Sequence, residues 1–98
     1  MKLTKGIISR EDALKISTNY VDFAEGGCWD NFDEVVEEFE SLKQGQSVLT
    51  YTDGEFVLAV ISSVIRDDIR AIDGPVVRVS NGEFSWRVDG NKYATKVA

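Results

Sequence analysis

The sequence predicts an α+β domain in which two N-terminal helices pack on one face of a five- or six-stranded antiparallel meander sheet. Three observations lead there. Apolar spacing is helical as far as Leu42 and alternating from Ser47 onward, hairpin signals recur in the second half, and 98 residues leave room for one core. A single domain over residues 1–98 is therefore expected.

The first helix is announced by Ser9, whose hydroxyl precedes the Asp12 carboxylate by three residues and can accept from an orphan amide of the first turn. It is predicted over residues 10–25. Ala13, Ile16, Tyr20, Phe23 and Ala24 recur at helical spacing on its inner side, and Gly26-Gly27 stops it. Asp30 is placed to cap a second helix. Its stripe is Phe32, Val35, Val36, Phe39 and Leu42, and Gly45 closes it.

Strand pairing follows from the turns. Asp53-Gly54 and Asn81-Gly82 suit type I′ hairpins, which need positive φ at both central residues. The first turn sets Tyr51 opposite Phe56 and Leu49 opposite Leu58. The second sets Val79 opposite Phe84, Val77 opposite Trp86 and Arg78 opposite Ser85, and in both cases apolar groups share a face. A third turn at Asp89-Gly90 would pair Trp86 with Tyr93 and Glu83 with Lys96, though it also opposes Arg87 and Lys92. Between the turns, residues 56–65 are apolar on both alternating faces, as in a central strand or one bent partway. A short strand at 69–72 ends at Asp73-Gly74-Pro75.

Composition excludes several chemistries. The chain has no histidine, which removes the commonest general base, the commonest metal ligand and every Ser-His or Cys-His nucleophile pair. One cysteine, Cys28, allows neither an intrachain disulfide nor a Cys/His zinc site, so a reducing, cytoplasmic setting is expected. Asp89-Gly90-Asn91 lacks the later ligands of a calcium loop, Asp67-Asp68 reads as a polar turn, and Gly26-Gly27 lacks the strand, lysine and hydroxyl of a phosphate loop. No apolar run reaches the ~20 residues of a membrane span, and no signal peptide follows the basic start. An enzyme is not expected, nor a cofactor, nor a metal.

Charge is the most distinctive property. The net charge is −6, and residues 28–45 hold six acidic side chains and one basic. Asp30, Asp33, Glu34, Glu37, Glu38 and Glu40 interleave with the apolar stripe, giving a helix greasy on one side and negative on the other. A solvated, solubilising face is the plainer reading. Against it, no basic residue among 30–40 relieves the like-charge repulsion, and Trp29 stands at the border as an anchor or as packing between the helices. Six charges over ten residue steps span roughly 15 Å, about two thirds of the charge density of duplex DNA. These residues are therefore the candidate partner-binding site, and replacing Glu34, Glu37 and Glu38 with glutamine is expected to leave the fold intact or slightly more stable while weakening partner binding.

The expected function is a small inhibitor or antagonist that docks this helix into a basic, nucleic-acid-binding type of groove on a larger protein, as immunity or phage anti-defence proteins do. Direct contact with nucleic acid is disfavoured by the sign of the charge. The alternative is a non-enzymatic assembly module that self-associates through its sheet, as a homodimer built on an exposed edge strand or on a surface holding Trp86 and Tyr93.

Overall fold

Ser9 and Ser17 each start a helix. The computed structural model describes residues 5–26, 32–65, 76–88 and 93–97. Ser9 accepts from the Asp12 amide and opens α1 (Arg10–Ile16), as its spacing predicts. The first helix does not run on to Glu25, however. Ser17 turns extended, with φ −160° and ψ 107°, and its side chain accepts from the Tyr20 amide to open α2 (Thr18–Ala24). A hydroxyl that can cap competes with the backbone for the same amide, and here it wins and bends the chain. The bend buries Tyr20 and also Val21, which lay off the straight-helix stripe. Arg10 joins the two helix ends by a bidentate pair with Glu25, Nε to Oε2 at 2.7 Å and Nη2 to Oε1 at 3.0 Å. The Arg10 hydrogen bond holds the Glu25 carboxyl below its ordinary range.

The third helix, α3 (Phe32–Glu40), is the second predicted one. It ends before Gly45, because the Ser41 and Leu42 amides bond back only three residues, to Glu38 and Phe39. Leu42 is buried nonetheless, completing the stripe with Val35 and Phe39. The predicted cap at Asp30 lies outside the described residues, as do Cys28, the 69–72 strand and the turns at 67–68, 73–75 and 89–91.

The sheet contains β1 (Ile7–Ile8), β2 (Ser47–Thr52), β3 (Glu55–Ile65), β4 (Val76–Ser80), β5 (Ser85–Val88) and β6 (Thr95–Lys96). All pairings are antiparallel, in the order β5-β4-β3-β2-β6, with β1 beside β3. The Asp53-Gly54 hairpin forms as predicted, with φ of 52° and 77°, Tyr51 opposite Phe56 and Leu49 opposite Leu58. The Asn81 hairpin does not. Asn81 avoids positive φ, and its Oδ1 accepts from the Glu83 and Phe84 amides, so four residues form the loop and Val79 faces Trp86 instead of Phe84. The slip is by two residues, which keeps every side chain on its expected face. A bulge between Ile61 and Ser63 bends β3 partway.

The largest departure is at the C-terminal strand. Instead of folding back on β5, β6 crosses to the far edge and pairs with β2, Lys96 opposite Val48 and Thr95 opposite Leu49. The meander is thus β2 to β5, with β1 and β6 added. Tyr93 explains the crossing. It is buried among Phe23, Phe32 and Phe39, with ring centroids 5.4, 6.1 and 4.8 Å away. Its carbonyl accepts from the buried Tyr20 hydroxyl, whose oxygen in turn faces the Tyr51 backbone amide. Helices, C-terminal strand and sheet meet at that one phenol. Among the described residues, no helix is long and apolar enough to cross a membrane.

Burial pushes the Tyr20 phenol well above its ordinary value. The folded state therefore favours the neutral form, and its stabilising effect is fully present below about pH 10 and lost as pH rises beyond it. Tyr20→Phe, which leaves the Tyr93 carbonyl and Tyr51 amide without this partner, should cost roughly 1 to 3 kcal/mol in urea unfolding at neutral pH. The variant should also show a shallower loss of stability between pH 10 and 11.

Candidate acidic docking face

The spacing of α3 splits its carboxylates into two rows beside the buried Val35 and Phe39. Glu34 and Glu38 lie one turn apart along one border; Asp33, Glu37 and Glu40 lie along the other. The two rows meet different surroundings.

The first row is absorbed by the fold. Glu34 Oε2 accepts from Asn19 Nδ2 at 2.6 Å, which ties α3 to α2. Glu38, half-buried, reaches the sheet edge. Its Oε2 accepts from Thr95 Oγ1 and its Oε1 from the Lys96 amide, both at 2.8 Å. That amide belongs to the outermost strand of the sheet, so the carboxylate satisfies a backbone donor that a further strand would otherwise need to meet. Of Glu34, Glu37 and Glu38, expected to stand free of the fold, Glu34 and Glu38 are engaged by it. A helical wheel shows Glu38 as surface, and only the arrival of β6 makes it structural.

The second row stays outward. Asp33 and Glu37 are exposed and, among the described residues, form no salt bridge or side-chain hydrogen bond. Glu40 is exposed but engaged. The ion pairs Arg10–Glu25 and Lys15–Asp12 lie on the other two helices. Trp29 and Asp30 lie outside the described residues. The site that the coordinates bring together is therefore Asp33 and Glu37, one turn apart and about 6 Å between Cβ atoms. Among the described residues no group of three acidic or sulfur side chains could hold a metal.

The chain matches no protein-family model, no curated protein and no solved structure. The site is thus read from its own chemistry. Trp86 and Tyr93, expected to share an exposed surface, do not. Tyr93 is buried, and Trp86 packs half-buried against the core opposite Val79. Asn19 and Thr95, the donors that divide the carboxylates, carry no signal in the local sequence. They lie 15 and 57 residues from the groups they bind.

The division predicts unequal responses to truncation. Glu38→Ala should destabilise the domain by roughly 1 to 3 kcal/mol, the usual effect of losing hydrogen bonds to a charged group, and should speed hydrogen exchange at the Lys96 amide. Glu37→Ala should stay within about 0.5 kcal/mol of the parent, as exposed positions do. Urea unfolding with amide exchange measures both.

Proposed function

We propose that this domain is a protein-binding antagonist and not an enzyme, and that it docks the Asp33 and Glu37 side of α3 into a basic groove of a larger partner, of the kind that handles nucleic acid. One observation carries the reading: these two carboxylates stand exposed on a helix that carries no basic residue, and among the described residues they serve no contact of their own. Like charges one turn apart repel by a few tenths of a kcal/mol, so the fold is better off without them. A basic surface would relieve that repulsion.

The energetics set what such a face does. Exposed ion pairs contribute only about 0.2 to 1 kcal/mol each, so charge governs approach and orientation more than residence time. Association would be fast at low salt and slow at high salt, with the net charge of −6 adding to the steering. The absence of histidine supports a binding role over a catalytic one.

The test is a paired capture. Wild-type protein and Asp33→Asn/Glu37→Gln, both immobilised, are exposed to lysate at low and at high salt, and proteins held only by the wild type at low salt are identified and titrated in purified form. The reading expects a partner with a basic groove whose affinity falls at least tenfold in the variant and with salt. An identified partner that binds both proteins equally would overturn it.

A further inference from the structure

The face of the sheet that carries Val60 combines two features that nothing among the described residues uses. The first is a shallow groove of about 530 Å³, whose apolar floor includes Leu58, Val60 and Val97. Val60 is 47% exposed there. Among the described residues no charged side chain lines the groove, although 29% of the chain is charged. Beside Ser47, much of its polar rim is already engaged: Ser80 Oγ accepts from the Gly82 amide, Asn81 Oδ1 accepts from two loop amides, and Asn81 Nδ2 donates to the Lys5 carbonyl. What the groove offers a visitor is aliphatic surface.

The second feature is cationic. Val60 lies opposite Ser80, so the two share a face, and Arg78, two residues from Ser80 on β4, shares it too. Arg78 sits directly opposite Arg87 on β5. Like charges directly opposed on a sheet destabilise it, yet the register places no carboxylate on this face between them and Val60. Arg87 is half-buried and engaged, while Arg78 is exposed and, among the described residues, has no side-chain partner. Arg78 thus stands open beside the apolar groove.

We propose that this face is a docking site for an extended acidic peptide segment of another protein, with an aliphatic side chain in the groove at Val60 and a carboxylate on Arg78. Spacing fixes the pattern. Val60 on β3 and Arg78 on β4 are diagonal neighbours, about 7 to 8 Å apart, and an extended peptide repeats its faces every two residues, about 7 Å, so the aliphatic group and the carboxylate belong at positions i and i+2. Charge also decides against other occupants. A second copy meeting face to face would bring its own Arg78 and Arg87 against these. Nucleic acid would find, among the described residues, a groove without an aromatic ring on which to stack its bases.

A random 12-residue peptide library, panned against the immobilised full chain, tests this. Wild type should enrich peptides with Asp or Glu two residues from Leu, Ile or Val. The best of them should shift the amide resonances of Val60, Arg78 and Ser80 in a nitrogen-15 correlation spectrum. Arg78→Glu and Val60→Glu should each weaken that peptide at least tenfold, with circular dichroism confirming the fold. Should either glutamate variant misfold, Arg78→Gln and Val60→Thr replace them, with at least a threefold loss expected. Failure to enrich any peptide, enrichment of basic sequences, binding unchanged in both variants, or shifts confined to α3 would each overturn the proposal.

Discussion

The structure depends on how residues 93–97 are held against the outer edge of β2. Two side chains from different helices do this. The Tyr20 hydroxyl joins the Tyr93 carbonyl to the Tyr51 amide, and the Glu38 carboxylate takes the Thr95 hydroxyl and the Lys96 amide. Without the strap, six residues of β2 would present unpaired backbone along an open edge, a surface that recruits other chains. The Tyr93 ring adds apolar contact, meeting Phe23, Phe32 and Phe39 at once. These bonds close loops of 73 and 57 residues. Their entropy cost rises only logarithmically with loop length, so stability tolerates them, whereas folding speed suffers.

The same strap determines which charges remain for anything else. A helix bearing only carboxylates repels itself, and each carboxylate that finds a donor within the fold is relieved of part of that repulsion. Glu34 and Glu38 find donors because they border the side of α3 that faces α2 and β6. Asp33 and Glu37 border the other side. The partition therefore follows from the direction in which α3 buries Val35 and Phe39, and of the five described candidate carboxylates it leaves two, Asp33 and Glu37, whose charge is uncommitted among the described residues.

What was legible in the sequence were the features governed by neighbours in the chain. Asp53-Gly54 specified its turn because both positive-φ residues sit next to each other, and Ser9 specified a helix start because its acceptor and donor are three residues apart. The buried stripe of α3 followed from spacing alone. The misses have equally definite causes. Sorting side chains by face detects a one-residue slip but is blind to a slip of two, which is the error made at Asn81. Ser17 lies within an unbroken apolar pattern, so its cap was hidden by the continuity around it. The crossing of β6 and the role of Glu38 arise from contacts far apart in sequence, where no local pattern carries the information. Half of the acidic face was thus legible as composition, and its division was not.

Two surfaces of opposite character result, and salt should treat them differently. The outward row of α3 offers the charge of Asp33 and Glu37, so a partner drawn by that charge feels an interaction screened over about 8 to 10 Å at physiological ionic strength. The face at Val60 and Arg78 offers both charge and aliphatic surface, and the apolar part persists when salt removes the rest. The two sets do not neutralise each other within the molecule, since neither Asp33, Glu37 nor Arg78 takes part in an ion pair among the described residues. A domain that keeps opposite charges apart on its surface forgoes a fraction of a kcal/mol of internal pairing. What it retains is two surfaces of opposite charge, one on a helix and one on the sheet, which are the approaches that the proposed basic partner and the proposed acidic segment would each use.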